Sequence, residues 1–210
     1  VHFAEKIYQE QPNSAPFTWN RMDHRSLEGF VYAITPFNFT AIGGNLPTAP
    51  AVMGNTVLWK PAHTALLSNY YVMRVLQEAG LPPGVINFIS GDSTMVSRTL
   101  LADRALAGIH FTGSTAVFNS LWRMVGEHLD GYAAYPRIVG ETGGKDFVLA
   151  HPSADVDALA VALVRGAYEY QGQKCSAASR AYVPASLWPK VKERMLAMIA
   201  DIRMGDVRDF

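Results

Sequence analysis

The chain has 210 residues, 49% of them hydrophobic, which is enough for one large domain or two small ones with a sizeable core. Its 18 basic residues balance its 18 acidic ones. The zero net charge argues against nucleic acid or a charged membrane surface as the main partner, because both call for a clustered basic excess. The one cysteine, Cys175, cannot form an internal disulfide, which fits a reducing compartment.

An uncharged stretch covers residues 29–59 and is longer than a bilayer crossing requires. Prolines, asparagines and glycines interrupt it, and a lipid-facing helix could not satisfy its backbone through them. We therefore predict that it forms buried strand, loop and helix pieces of a core. The chain starts at Val1 without an initiator methionine or a signal-peptide layout, and we expect it to be a piece of a longer protein.

Short apolar runs alternate with helical patterns from residue 30 onwards. The runs predict strands buried on both faces at 30–34, 56–59, 85–89, 108–111 and 137–139. Between them, Thr64 is the predicted N-cap of a helix to Ala79, which Gly80 ends, and Ser114 is the predicted N-cap of a helix to about Leu129. Strands alternating with helices indicate βαβ units and an open parallel sheet, the α/β class.

A second pattern of the same kind starts after Gly143. It predicts a strand at 147–149, a helix at 155–170, a strand near 181–183 and a last helix after Ser186. Cys175 falls in the polar loop between the first of these helices and the second strand. We predict a domain boundary here, which gives domains 1–142 and 143–210.

Cys175 is the first candidate for chemistry. The charge of the neighbouring Lys174 and the local backbone amides would favour the thiolate, which is the nucleophilic form of cysteine. The alternative is an ordinary packed thiol, the commoner role of a lone cysteine. No histidine of the chain lies in a motif that supports it as the base of a Cys–His hydrolase.

Two polar residues follow predicted strands and suit acyl chemistry. Glu141 stands between a strand and a glycine pair, where its carboxylate would enter a cleft as a general base on water. The alternative is a surface acid at a strand end. Asn38 follows the strand at 30–34, where its amide could donate to an oxyanion, although asparagine is also common in such turns.

Two further places suit a nucleotide. Lys60 comes at the carboxyl end of a predicted strand, where ligands bind in open α/β sheets. Thr112, Gly113 and Ser114 open a helix whose N-terminus would receive a phosphate. Neither the Gly-x-Gly-x-x-Gly nor the P-loop sequence is present. The residues alone therefore indicate a nucleotide-binding α/β protein with a candidate thiol nucleophile.

Taken together, five segments resemble the aldehyde dehydrogenase family in order and spacing. They are Pro-Phe-Asn-Phe at 36–39, Trp-Lys-Pro-Ala at 59–62, Phe-Thr-Gly-Ser at 111–114, Glu-Thr-Gly-Gly-Lys at 141–145 and Gly-Gln-Lys-Cys at 172–175. The resemblance covers nearly the whole chain. It implies a Rossmann-like dinucleotide-binding domain at 1–142, followed by the start of an α/β catalytic domain at 143–210. It is strongest to the branch that oxidises L-glutamate γ-semialdehyde to L-glutamate in proline degradation.

The resemblance also implies a role for each matching residue. Cys175 would attack the aldehyde carbon to give a thiohemiacetal and then a thioester, Asn38 would hold the oxyanion, and Glu141 would activate the hydrolytic water. Lys60 would bind the adenosine ribose and Ser114 the pyrophosphate. The remaining contacts to the cofactor would come from His63, Thr112 and Gly113, and those to the substrate from Phe39, Lys174 and Ser176. No metal is implied.

His63 departs from the family pattern. Many members carry a glutamate there, whose carboxylate binds the ribose hydroxyls and would repel a 2′-phosphate. The resemblance favours NAD, and His63 leaves NADP open. It further implies a small aldehyde substrate, a homo-oligomeric full-length protein, and the cytoplasm as its location, or the mitochondrial matrix in a eukaryote. The alternatives are another semialdehyde or aliphatic aldehyde dehydrogenase and a non-catalytic module of this fold. Because later family motifs are missing, the chain alone could be inactive.

Overall fold

The computed structural model of the chain describes residues 2–206 and 208. The chain divides into two compact units, with the division between Thr142 and Gly143. Each unit has its own sheet, and the buried apolar side chains form two clusters in the first unit and one in the second. We refer to them as the first unit and the second unit.

The first unit is built on a five-stranded parallel sheet. Its strands are β1 (Phe30–Thr35), β2 (Thr56–Pro61), β3 (Ile86–Phe88), β4 (Leu106–Thr112) and β5 (Arg137–Glu141). They lie in the order β3-β2-β1-β4-β5, and every pair is parallel. The predicted Rossmann-like α/β fold is confirmed. The strand order reverses between β1 and β4, and such a switch point opens a crevice at the carboxyl edge of the sheet.

Helices connect the strands and supply both layers of the core. They are α2 (Thr40–Val52), α3 (Leu66–Glu78), α4 (Ser93–Leu101) and α5 (Thr115–Glu127), while α1 (His2–Gln9) precedes β1 and buries none of its residues. On β1, Val31 and Ala33 belong to a cluster with Met73 of α3, whereas Tyr32 belongs to a cluster with Leu121 of α5. Alternate side chains of this central strand therefore pack on opposite faces of the sheet, which is why its sequence is apolar throughout.

Two sequence predictions for the first unit are wrong in detail. Residues 137–139 form the predicted strand, but β5 is an edge strand and largely exposed, with Val139 58% exposed. Thr64 does not cap a helix: it lies inside a short 3-10 helix, His63–Ala65, and α3 begins only at Leu66 with no side-chain cap. Ser114 is a cap as predicted, and its hydroxyl oxygen accepts from the backbone N–H of Val117 at 3.3 Å.

The uncharged stretch is accounted for by β1, α2 and β2. α2 contains Pro47 and Pro50, and the missing N–H of Pro50 leaves the carbonyl of Leu46 without its helical donor. That carbonyl lies 2.9 Å from Nδ1 of His110 on β4, so the side chain of the strand replaces the lost helix bond. Over residues 2–206 and 208, we find no helix with the length and apolar character that a bilayer crossing needs.

The second unit is a small α/β layer. Its elements are β6 (Phe147–Leu149), α6 (Val156–Tyr168), β7 (Arg180–Tyr182) and α7 (Trp188–Ala200). β6 and β7 pair in parallel, and Leu159, Leu163 and Val191 form the core beneath them. Asp155 caps α6 by accepting from the N–H of Ala158 at 2.7 Å. The predicted elements all occur, within a few residues of their predicted bounds.

Candidate active site

The polar segments of the first unit meet at one edge of its sheet. Asn38 follows β1 and Ser114 follows β4, and these two strands flank the switch point. Ile34 of β1 is in register with Phe111 of β4, so the two strands end at the same level. The structure thus brings the two segments to the crevice where doubly wound sheets bind their ligands.

Asn38 is held by the start of α2. It and Phe39 are half-buried, between the buried Pro36 and the first turn of the helix. Phe39 is the N-cap residue of α2, and its carbonyl accepts from the N–H of Gly43 at 3.0 Å. The backbone that carries the Asn38 amide is therefore fixed by a strand on one side and by a helix on the other, as an oxyanion donor requires.

Lys60 lies almost fully buried, with 4% of its surface exposed, near the carboxyl end of β2. Its ammonium donates to the carbonyl of Pro61 at 3.3 Å. Burial lowers the pKa of Lys60, and the nearby Asp92 carboxylate opposes that shift. An ammonium group has three N–H donors, so Lys60 can also donate to hydroxyl groups of a ligand at this edge.

The segment after β4 is shaped to receive an anion. Gly113 donates its N–H to the carbonyl of Glu141 at 3.1 Å, and a side chain there would come within 2.7 Å of the Phe111 ring. Ser114 accepts a bond from α5, which leaves its hydroxyl proton for an acceptor outside the helix. The N-terminus of α5 adds positive potential, so these residues fit a pyrophosphate.

Glu141 and His63 occupy two further positions at this edge. Glu141 is the last residue of β5 and is exposed, in register with Thr112 of β4. His63 is exposed and opens the 3-10 helix that follows β2. The candidate residues of the first unit therefore all lie at the carboxyl ends of β1, β2, β4 and β5.

Cys175 is half-buried in the second unit, in the loop that follows α6. The chain reaches it through three successive residues with positive φ, namely Tyr170 (53°), Gln171 (58°) and Gly172 (69°). Only glycine adopts this conformation freely, and each of the other two costs about 1–2 kcal/mol. The sequence gives no sign of this turn, since left-handed tyrosine and glutamine are uncommon. Backbone strain of this kind is often found beside functional residues.

The Cys175 loop is tied to the rest of the second unit on both sides. Ala178 donates its N–H to the carbonyl of Gly166 on α6 at 2.9 Å, and Ser179 donates to the carbonyl of Asp146 at 2.9 Å. Gly144 packs so closely against the loop that a Cβ there would collide with the carbonyl oxygen of Cys175. The backbone at the thiol is thus fixed by α6 and by the segment before β6.

Glu169 is a residue of this site that the sequence analysis missed. Its carboxylate accepts from Lys174 at 2.8 Å and from Arg165 at 3.1 Å. The hydrogen bond from Lys174, followed by that from Arg165, lowers the pKa of Glu169. The ammonium that we expected to favour the thiolate is therefore engaged by a carboxylate. Ser176 is exposed beside the cysteine. The signal available in the sequence was the i, i+4 pair of Arg165 and Glu169.

Fold and side chains together define an α/β protein with a Rossmann-like unit, its polar motifs at the crevice, and a second unit with a half-buried thiol. The chain belongs to the aldehyde dehydrogenase family, whose model matches residues 1–210. That match agrees with the resemblance seen in the sequence motifs.

Several relatives share one name. The chain is 54% identical over 214 residues to "delta-1-pyrroline-5-carboxylate dehydrogenase, mitochondrial" of Dictyostelium discoideum, which covers 100% of the chain and 38% of that protein. It is 53% identical to the mouse protein of the same name, over 97% of the chain and 36% of the relative. The chain therefore spans less than two fifths of the length of these relatives.

The chain is also similar to solved structures of proteins with this name. The crystal structure of the delta-pyrroline-5-carboxylate dehydrogenase from Mycobacterium tuberculosis bound with NAD is 60% identical in sequence, with a TM-score of 0.93, over 99% of this chain and 39% of that one. The 1-pyrroline-5-carboxylate dehydrogenase from Thermus with bound NAD is 33% identical, with a TM-score of 0.71, over 82% of this chain and 34% of that one.

Proposed function

We propose that the protein to which this chain belongs oxidises L-glutamate γ-semialdehyde, the open form of pyrroline-5-carboxylate, to L-glutamate with NAD. The observation that carries the proposal is the 60% identity to a pyrroline-5-carboxylate dehydrogenase whose structure holds NAD, over 99% of this chain. The side chains that this chemistry requires, Cys175, Glu141 and Asn38, are all present.

Each residue has a defined task in this proposal. The Cys175 thiolate adds to the aldehyde carbon, and the Asn38 amide donates to the oxygen that becomes negative. NAD, when bound, supplies the hydride acceptor that turns the adduct into a thioester. Glu141 then takes a proton from water as that water attacks the acyl carbon, and the acid leaves with the thiolate restored. Lys174, Ser176 and Phe39 contact the substrate.

The cofactor half of the proposal rests on the first unit. Lys60 and His63 would lie at the adenosine ribose, and Thr112, Gly113 and Ser114 at the pyrophosphate. The hydroxyl of Ser114, which accepts from α5 and can still donate its proton at the helix N-terminus, supports this assignment. As further parts of the proposal, the full-length protein is a homo-oligomer and acts in the cytoplasm, or in the mitochondrial matrix if its source is a eukaryote. The names of the Dictyostelium and mouse relatives describe those proteins as mitochondrial.

The test is turnover by the full gene product that contains this chain, measured as NADH formation with pyrroline-5-carboxylate and, for comparison, with propanal. We expect pyrroline-5-carboxylate to give the higher kcat/KM, and Cys175→Ala to lower turnover by at least about a thousandfold, because alanine cannot form the covalent intermediate. Equal use of propanal would overturn the substrate, and full turnover by Cys175→Ala would overturn the mechanism.

A further inference from the structure

Asn69 is a polar residue of α3 that lies wholly inside the first unit, with 0% of its surface exposed. Its side-chain Nδ2 donates to the carbonyl of Ala65 at 2.8 Å. Because a carbonyl only accepts, this bond fixes the orientation of the amide and turns its Oδ1 to the other side. Among the residues that the structure describes, Oδ1 has no hydrogen-bond donor, and native proteins leave few buried acceptors in that state.

The Oδ1 atom of Asn69 faces α2. It occupies the space that a Cβ on Gly43 would take, and Cγ and Nδ2 of Asn69 lie 3.0 and 3.3 Å from the same point. Gly43 is buried within α2 and does not have a positive φ, so the lack of a side chain there is a matter of space. The two helices therefore touch through a Cα–H group on one side and an amide oxygen on the other, a weak but close contact.

This contact lies one helical turn from the proposed oxyanion donor. Gly43 donates its N–H to the carbonyl of Phe39, the residue that follows Asn38. A shift of Gly43 therefore moves Phe39 and the backbone of Asn38 with it. On the other side, Ala65 is the last residue of the 3-10 helix after β2, so its bond holds the Asn69 amide in place.

We propose that Asn69 is a positioning residue for the oxidation of the aldehyde: its amide sets how closely α2 packs on α3, and so places the Asn38 amide at the oxygen of the substrate. The proposal rests on the proposed function, since it takes Asn38 as the oxyanion donor. Asn69 is fully buried and acts only through Gly43. Loss of an oxyanion donor costs about a hundredfold to a thousandfold in kcat, and a displacement on the order of 1 Å can cost about a hundredfold.

The test is a double-variant cycle in the full gene product, with kcat for NADH formation as the readout. Gly43→Ala places a methyl group against the Asn69 amide and should lower kcat by at least about thirtyfold. Asn69→Ala removes the atoms that this methyl group meets, so its addition to Gly43→Ala should raise kcat again by at least about tenfold. Asn69→Ala alone leaves the start of α2 without its contact and should lower kcat by about fivefold.

The matched control is Gly126→Ala on α5. A Cβ at this helical glycine meets no described atom within 4 Å, so this variant should turn over as the wild-type protein does.

Two further measurements separate positioning from a general loss of packing. The NAD dissociation constant, from calorimetric titration, should stay within about threefold in every variant of the cycle. The rate at which iodoacetamide alkylates Cys175 should also stay unchanged, because this displacement at a CH₂ carbon forms no oxyanion and does not use Asn38. A loss of NAD affinity or of alkylation as large as the loss of kcat would show that Asn69 serves packing only.

The cycle has outcomes that overturn the proposal. Wild-type kcat in Asn69→Ala would overturn it, as would a failure of Asn69→Ala to improve Gly43→Ala. If Gly43→Ala does not fold, Asn69→Ala and its three readouts decide the matter alone.

Failure of the proposed function is distinguishable from failure of this proposal. If the wild-type protein oxidises propanal but not pyrroline-5-carboxylate, the proposed substrate is wrong, and the same cycle measured with propanal still decides the role of Asn69. If the wild-type protein oxidises no aldehyde, both proposals fall.

Discussion

Gly143 and Gly144 stand side by side before β6, yet the structure gives them different surroundings. A Cβ built on Gly143 meets no described atom within 4 Å, whereas one built on Gly144 collides with the carbonyl oxygen of Cys175. Both have φ values that other residues adopt, so the difference is one of space and not of backbone conformation. Gly144 is therefore a packing requirement of the thiol loop.

Gly144→Ala should displace the loop that carries Cys175, because the contact is with backbone and no flexible side chain can move aside. We expect its melting temperature to fall and the rate of Cys175 alkylation by iodoacetamide to change by at least about threefold, consistent with the cost of overpacking a tight contact. Gly143→Ala is the matched control and should resemble the wild-type protein in both measurements. Equal behaviour of the two variants would mean that the close packing at Gly144 is without consequence.

Single residues show which features local sequence patterns can predict and which they cannot. Ser114 was predictable as a cap because a hydroxyl residue directly precedes a helical pattern, and its bond to Val117 confirms it. Thr64 fits the same rule and fails, because the chain leaving β2 first makes a 3-10 turn that takes up His63–Ala65. The engagement of Lys174 by Glu169 was not predictable from charge alone, since it depends on the left-handed turn between them.

At the level of elements, α2 is the helix that sequence patterns describe least well. It holds two prolines, and its apolar residues do not follow one stripe, because it packs against both the sheet and α3. The lost bond at Leu46 is replaced by a bond from His110 on β4. A tertiary contact thus permits Pro50 within a helix, and no local propensity could have revealed it.

The contact between His110 and the Leu46 carbonyl can be tested by substitution. His110→Val should leave the buried Leu46 carbonyl without a donor and lower the free energy of unfolding by about 1–3 kcal/mol. His110→Asn, whose amide can donate to the same carbonyl, should lose less. Adding Pro50→Ala to His110→Val should restore part of the loss, because residue 50 regains its N–H. Urea unfolding of the wild-type protein, Pro50→Ala, His110→Val and the double variant measures this coupling, and strictly additive effects would contradict the assigned bond.

β5 is a second element for which the sequence pattern predicts only part of the structure. Its short apolar run predicted a strand buried on both faces, and the strand is present, but as an exposed edge. The composition of an apolar run predicts an extended strand, whereas the burial of that strand depends on which neighbours it has in the sheet. The alternation of strands and helices was enough to predict the parallel class, since a crossover helix is what parallel strands require.

For the molecule as a whole, the candidate residues are shared between two compact units. The first unit carries the candidate nucleotide-binding residues and also Asn38 and Glu141. The second unit carries the thiol together with Lys174 and Ser176. The motifs and their spacing were predictable from the sequence through family resemblance. The order of strands that makes a crevice beside Asn38 was not, because strand order depends on contacts distant in the chain.

This division predicts that nucleotide binding and thiol reactivity can be lost separately. Lys60→Met keeps the buried stem and removes the ammonium, so it should weaken NAD by about tenfold or more, the usual loss for a charge-assisted hydrogen bond. In the absence of NAD, it should leave the alkylation rate of Cys175 unchanged. Cys175→Ala should retain the NAD affinity of the wild-type protein.

Calorimetric titration and iodoacetamide labelling of the full gene product measure both properties. Weak NAD binding by Cys175→Ala, or altered labelling in Lys60→Met, would show that the two functions are not divided between the units as proposed.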